Sequence, residues 1–250
     1  LSGLPTLQSW HLKWRDHVSN QQANEGLTDQ QFRSLVTLAK DLRDKYHGEL
    51  ECKKKKGLAL QKRPDFLWYE LLVSYSTWGG AQGSKGLIDD ETRYQQVSYD
   101  ELKKLDTKED RTNRLRQIME EAKVRWFNKK APMLVQCFEK IEDMRGLAAV
   151  NATLLNKKSA SEIMKFLEDF PGIGPKYARN IMMDSYHPLF RDRIALDSRV
   201  RSVSKKLGID FKDYSDYENF YLRVAKEAGI EGWELDRLIW EHIDDFLKPL

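Results

Sequence analysis

Cysteine is nearly missing from this chain: Cys52 and Cys137 are the only two in 250 residues, and they lie far apart. Without a Cys-x-x-Cys pair there is no four-cysteine iron–sulfur cluster and no cysteine-based zinc finger. No disulfide framework is needed either, which suits a reducing compartment. Long apolar runs are also absent, and none approaches the ~18 residues of a membrane-spanning helix. Residues 1–6 carry neither the basic end nor the apolar stretch of a secretory signal, so an intracellular protein with no membrane attachment is expected. Charge of one sign is scarce too: 42 basic and 39 acidic residues leave a formal charge of +3. Total charge does not announce a nucleic-acid partner, and that role has to rest on local clustering. Finally, no stretch alternates with the period of a half-buried strand, and there is no internal repeat or low-complexity tract.

What is present is the balance of a soluble globular protein, 40% hydrophobic and 32% charged, long enough for one large domain or two lobes sharing an interface. Helical periodicity recurs throughout. Leu7, Trp10, Trp14 and Val18 fall on one helix face. Thr28 with Gln31 forms a capping-box pattern ahead of Phe32, Leu35, Ala39, Leu42 and Tyr46, and Gly48 closes that helix. The run Lys53 to Lys56 reads as a solvated loop or a seam between lobes, with phosphate binding as the alternative. Asp65 caps an apolar helix through Phe66, Trp68, Leu71, Leu72 and Tyr75, stopped by Gly79-Gly80.

Further on, Ser98-x-x-Glu101 opens a short helix, and Leu115, Ile118, Met119 and Ala122 form an apolar stripe. A helix then runs through Val135, Phe138 and Ile141 to Gly146, with Pro132 in its first turn. Ser159-x-x-Glu162 opens another, with Ile163, Phe166 and Leu167 inward. Asp197 caps a helix ended by Gly208, and Ser215-x-x-Glu218 caps one ended by Gly229. The last runs from Glu231 to Leu247. Roughly ten helices and no strand make the fold class all-α.

One stretch stands apart: Phe170-Pro171-Gly172-Ile173-Gly174-Pro175-Lys176. An amphipathic run precedes it and a helix-compatible run follows, which predicts helix, tight hairpin and helix. Glycine supplies the positive φ that such a hairpin needs. With no side chains at Gly172 and Gly174, their amides are open to an oxyanion at the N-terminus of the helix starting at Pro175. A phosphate held this way fixes register on DNA and reads no sequence. An ordinary helix–turn–helix corner with glycine caps is written the same way.

Lys176 and Asp197 add chemistry. A lysine amine attacks only when neutral, a state that a helix N-terminus and partial burial favour. A carboxylate at the following helix cap would stabilise positive charge developing on a sugar ring. The pair suits attack at the anomeric carbon of a deoxynucleotide, a Schiff base, and strand cleavage by β-elimination. The plainer alternative is a phosphate-contacting lysine and a simple helix cap.

At these residues, Phe-Pro-Gly-Ile-Gly-Pro-Lys-Tyr-Ala and then Ala195-Leu196-Asp197-Ser198-Arg199-Val200, the chain resembles the helix-hairpin-helix superfamily of DNA glycosylases. The resemblance implies Lys176 as the lysine of bifunctional glycosylase/lyases and Asp197 as the shared catalytic carboxylate. It implies DNA-backbone contact by Gly172, Ile173, Gly174 and Lys176. The lysine-to-aspartate interval is slightly long, which implies an enlarged loop over 185–194. Upstream, the run from Leu71 to Thr77 resembles the buried helix whose end fills the gap left by a flipped base, placing Tyr75 near that gap. Trp126-Phe127-Asn128 resembles the loop that wedges the opposite strand. Tyr75 and Trp126 also read as ordinary core aromatics. Trp240, seven residues after Trp233, is implied as a base-pocket wall, with the core as its alternative. The backbone carbonyls of Glu168, Phe170 and Ile173 are implied as ligands of a monovalent cation, Na+ or K+, and no other cofactor is required.

A lysine without an iron–sulfur cluster most resembles the 8-oxoguanine glycosylase branch. The expectation is a two-lobed helical protein: 1–64 plus 183–250 as one lobe, 65–182 as the other, and the helix-hairpin-helix at about 160–184 between them. Its expected activity is excision of a flipped, oxidised purine with AP lyase activity, its partner double-stranded DNA containing the damaged base, and its state monomeric. Two alternatives stay open: a glycosylase for alkylated or mismatched bases without lyase activity, and a non-catalytic DNA-binding module.

Overall fold

The computed structural model describes residues 28–80 and 82–248, so the helix expected around Leu7 to Val18 lies outside the described residues. Fifteen α-helices and one 3-10 turn, with no strand, make up the described residues, and the fold is all-α as expected. The first four are α1 (Asp29–Lys45), α2 (His47–Leu60), α3 (Phe66–Thr77) and α4 (Gln82–Leu87). Next come α5 (Glu91–Gln96), α6 (Tyr99–Lys103), α7 (Lys108–Glu121), α8 (Phe127–Asp143) and α9 (Leu147–Leu155). The hairpin joins α10 (Ala160–Glu168) to α11 (Pro175–Asp184), and the chain ends in α12 (Ser198–Lys206), α13 (Tyr214–Ala228), α14 (Gly232–Glu241) and α15 (Ile243–Phe246). The sequence count was near ten because helices of five or six residues, such as α4 to α6, are too short to display a period.

Several boundaries differ from expectation, each for a physical reason. Lys53 to Lys56 lie inside α2, not in a loop, and Gly48 stands in its first turn. Lysine is a good helix former, and carboxylates of α14 neutralise the first two of the run: Lys53 Nζ meets Glu241 Oε1 at 2.7 Å and Lys54 Nζ meets Glu234 Oε1 at 2.9 Å. Asp65 sits at the N-cap of α3 without capping it, because Arg63 and Tyr94 engage its carboxylate. Pro132 falls in the second turn of α8, beyond the positions where its missing N–H costs nothing. Ser215 and Glu218 form no capping box: Asp213 is the N-cap residue and the Glu218 carboxylate is used elsewhere. The final helix breaks at His242, at φ −121° and ψ 37°.

Helices α1, α13 and α14 pack together, and α12 lies against α14 and α15. Helix α3 packs against α4, α8, α9 and α11, while α7 lies along α8. One continuous apolar core, including Trp68, Phe138, Phe170, Tyr221 and Trp233, joins these helices. The last turn of α11 is a junction: its Met183 carbonyl accepts from Trp233 Nε1 at 2.7 Å, and Asp184 pairs with Arg237 at 3.0 Å. Just beyond, Ser185 O accepts from Gln61 Nε2 at 2.6 Å. The hairpin helix is therefore anchored to α14 and to the residues after α2.

Candidate functional site

The hairpin is built from apolar anchors. Ser159 and Glu162 form a reciprocal capping box that starts α10, and Ile163 and Leu167 turn into the core while Phe166 is half-buried. Phe170 and Ile173 are buried on either side of the turn. Gly172 adopts φ +75°, and a Cβ there would fall 2.6 Å from Tyr75 Oη and 2.8 Å from Met133 Cε. Both the backbone and its neighbours demand glycine at this position. Gly174 differs. Its φ is −96°, it caps α11 ahead of Pro175, and a Cβ there would touch nothing within 4 Å. Packing does not require that glycine, and the space in front of it is open.

The amide of Ile173 donates to Phe170 O at 3.1 Å within the turn. Ile173, implied by the resemblance as a DNA-backbone contact, is a buried apolar anchor whose amide is already used within the turn. The amides of Gly172, Gly174 and Lys176 donate to nothing among the described residues. Those of Gly174 and Lys176 are the uncompensated donors of a helix start, where an anion is favoured, and that of Gly172 stands two residues ahead of the cap. Lys176 occupies the second position of α11, half-buried, its Nζ 5.0 Å from the centre of the Tyr177 ring. Of the carbonyls implied for a monovalent cation, Phe170 O already accepts from Ile173, and Lys140 Nζ sits on the intervening Asp169 O at 2.8 Å. The carbonyls of Glu168 and Ile173 accept no hydrogen bond among the described residues, so two of the three oxygens are free for an ion.

Asp197 caps α12 as expected, Oδ1 accepting from Arg199 N and Val200 N at 2.9 Å each. Its Oδ2 accepts no hydrogen bond among the described residues. The enlarged interval before it is well packed: Tyr186 takes φ +50°, a 3-10 turn spans Pro188–Phe190, and Phe190 and Ile194 are buried. Lys176 and Asp197 form no direct ion pair. They are linked through Arg179, one turn beyond Lys176, whose guanidinium lies 4.3 Å from the Tyr214 ring, while Tyr214 Oη accepts from Leu196 N at 2.9 Å.

The upstream aromatics divide. Tyr75 is 1% exposed and donates its hydroxyl to Pro171 O, with Cys137 Sγ at 3.7 Å. It ties α3 to the hairpin from inside the core, and no gap-filling side chain can stand there; the surface end of α3 lies at Thr77 and Trp78. Trp126 is 58% exposed, in the left-handed region at φ +56°, edge-on to Trp78 with ring centres 6.4 Å apart. Phe127 is half-buried against the core and Asn128 is exposed. Beneath the two indoles lies Lys130, fully buried, its Nζ donating to Trp78 O at 2.5 Å. Burial lowers its ammonium to about 8. Trp233 is core, but Trp240 is 38% exposed because the helix ends one residue later, and Arg199 stacks on it at 4.1 Å. The core alternative for Trp126 and Trp240 is thereby removed.

Four residues around the site escaped the sequence reading: Arg179, Tyr214, Glu218 and Asp236. Spacing from Ser215 points Glu218 to a capping box instead. Asp236 did carry a signal, as a carboxylate three residues after a tryptophan on an otherwise apolar helix face.

No family model matches this chain, and no curated protein matches it by sequence. Its fold, however, is that of solved DNA glycosylases. The 8-oxoguanine DNA glycosylase of Thermotoga maritima superposes with a TM-score of 0.64 at 16% identity, over 84% of this chain and 95% of that one. The 8-oxoguanine DNA glycosylase of Methanocaldococcus jannaschii gives 0.65 at 16% identity, over 83% and 92%. The same archaeal protein, described as an 8-oxoguanine glycosylase/lyase in complex with a 15mer DNA containing 8-oxoguanine, gives 0.65 over 83% and 95%. The likeness covers most of both chains, and the helical glycosylase fold is established. Among the described residues, no helix is long and apolar enough to cross a membrane.

Proposed function

We propose that this protein is a DNA glycosylase that flips a damaged base out of duplex DNA and releases it, the base being an oxidised purine such as 8-oxoguanine, and that it cuts the resulting abasic site as a lyase. One observation carries the reading. Lys176 follows directly on a hairpin with free amides, and Asp197 caps the next helix with one carboxylate oxygen free, in a fold shared with three solved 8-oxoguanine DNA glycosylase structures. The hairpin amides grip one backbone phosphate. As the glycosidic bond breaks, the base leaves with the bonding electrons and takes the proton that the Lys176 ammonium gives up, while Asp197 stabilises the positive charge on the sugar. The amine so freed bonds to C1′, its proton passes to the ring oxygen as the ring opens to the Schiff base, and loss of a C2′ proton expels the 3′ phosphate.

Trp126 serves as the wedge in the opposite strand, with Asn128 beside it, and Trp240 borders the pocket for the flipped base. The helices before residue 65 and after residue 182 form one lobe, residues 65–182 the other, and DNA lies along the cleft between them. The enzyme acts as a monomer without a redox or metal-cluster cofactor, a monovalent cation resting at the hairpin carbonyls.

The test is incubation with duplexes carrying oxidised, alkylated or mismatched bases, with and without borohydride. Release of an oxidised purine together with a trapped covalent adduct is expected, and Lys176→Gln abolishes the adduct. Trapping by that variant at the wild-type level removes Lys176 from the mechanism. Release of an alkylated or mismatched base, leaving an intact abasic site, identifies a glycosylase without lyase activity. Salt-dependent binding with no release identifies a DNA-binding module.

A further inference from the structure

Three consecutive backbone amides ahead of Asp197 are each held by a side chain from elsewhere in the fold. Ile194 N donates to Glu218 Oε1 at 3.2 Å, Ala195 N to Asp236 Oδ1 at 2.8 Å, and Leu196 N to Tyr214 Oη at 2.9 Å. Tyr214 Oη in turn donates to Ile194 O at 2.7 Å. An extended segment ordinarily finds such partners in a neighbouring strand; no strand exists among the described residues, and side chains of α13 and α14 take its place.

These are costly placements. Glu218 and Asp236 are each only 6% exposed, and a buried carboxylate is not selected by packing alone. Burial pushes the Asp236 carboxyl up to about 6, with Asp197 and Asp184 adding to the effect while Arg237 and the Ala195 amide oppose it. The same residues reach the other half of the site. Arg179, on the helix of Lys176, stacks on the Tyr214 ring and brings Nη2 to 3.5 Å from Glu218 Oε2. Tyr214 and Glu218 thus touch both the lysine helix and the segment leading to the aspartate.

We propose that Tyr214 and Asp236 are positioning residues that hold Asp197 against the helix of Lys176, so that its free carboxylate oxygen meets the developing charge on the sugar already oriented. The inference rests on the function proposed above. They act through Asp197: two buried acceptors and a hydroxyl fix the three residues before it, and its Oδ1 is fixed by the cap, which leaves Oδ2 directed by a frame rather than by a contact of its own. Preorganisation of this kind accelerates the chemical step without tightening substrate binding.

The experiment is single-turnover base release, alongside Kd for the same lesion duplex, with wild type, Asp197→Asn, Tyr214→Phe, Asp236→Leu and Asp236→Asn. Tyr214→Phe keeps the ring under Arg179 and removes only the hydroxyl; Asp236→Asn keeps an oxygen acceptor for Ala195 N. Tyr214→Phe and Asp236→Leu are expected to slow release about tenfold or more with Kd within about twofold of wild type, and Asp236→Asn to recover most of the loss. Release at the wild-type rate in both variants, with Asp197→Asn still impaired, overturns this inference alone. Rate and affinity falling together make the residues structural and also overturn it. No release by wild type from any lesion overturns both this inference and the proposed function.

Discussion

The two halves of the candidate site differ in which backbone groups their supports consume. The hairpin before Lys176 is anchored by apolar side chains, Phe170 and Ile173, and leaves the amides of Gly172, Gly174 and Lys176 without partners among the described residues. The segment before Asp197 is anchored by polar side chains, and every amide from 194 to 196 is consumed. A surface that receives a backbone phosphate needs spare donors, so its polar support, from Tyr75 to Pro171 O and from Lys140 to Asp169 O, falls on carbonyls and spares the amides. A carboxylate that must hold one orientation beside developing charge needs a frame, and buried hydrogen bonds provide it at a cost in stability.

The largest expected effect sits at the centre of that contrast. On the proposed function, Asp197→Asn should slow single-turnover base release by about 100-fold or more while duplex binding changes little, because that function needs only the charge that the substitution removes. Equal losses of rate and affinity would place Asp197 in binding instead. The next effect separates the two glycines of the hairpin. Gly172→Ala forces a side chain into the left-handed region and against Tyr75, and should cost about 1–3 kcal/mol, a fall of several degrees in Tm. Gly174→Ala should leave Tm almost unchanged, since its Cβ meets nothing, yet weaken DNA binding by standing before the free amides. A loss of stability in both would make the hairpin a plain corner.

Smaller effects probe the buried charges by pH. The folded Asp236 carboxyl lies at about 6, above the value of about 3.8 in an unfolded chain, so its contribution is complete below the unfolded value and lost as pH rises through 6. Asp236→Asn should therefore be more stable than wild type at pH 7, by about 1–2 kcal/mol, with the gap closing by pH 4 in denaturant titrations. Lys130 has the opposite sign. Its ammonium is lowered to about 8, so burying the charge costs most below pH 8, and wild-type stability recovers as pH rises from 8 towards 10.5. Lys130→Met should gain about 1 kcal/mol at pH 7 and lose that advantage near pH 10. A pH-independent difference would mean that Lys130 is held by its stem rather than strained by its charge.

How much of this was legible beforehand follows from the range of each interaction. The Thr28 and Ser159 capping boxes, the Asp197 cap and the Gly174-Pro175 helix start rest on contacts within four residues, and all four stand as read. Errors arose where a local pattern was recruited by a distant partner. Asp65 turned to Tyr94 as well as to its neighbour Arg63, Glu218 to Ile194 and Arg179, and Lys53 and Lys54 of α2 to the carboxylates of α14. For Tyr75 the sequence left gap-filler and core aromatic both open, because spacing reveals a face but not its depth, and the structure takes the core alternative.

The sequence alone determined the all-α class, the hairpin and the two residues that its chemistry singles out, because caps, turns and helical periods are written in neighbouring residues. Tertiary structure decided that Trp126 and Trp240 face outward and Tyr75 inward, and that Lys176 and Asp197 belong to one frame through Arg179 and Tyr214. Exposure and long-range side-chain hydrogen bonds depend on which helices meet, and no stretch of the chain records that by itself.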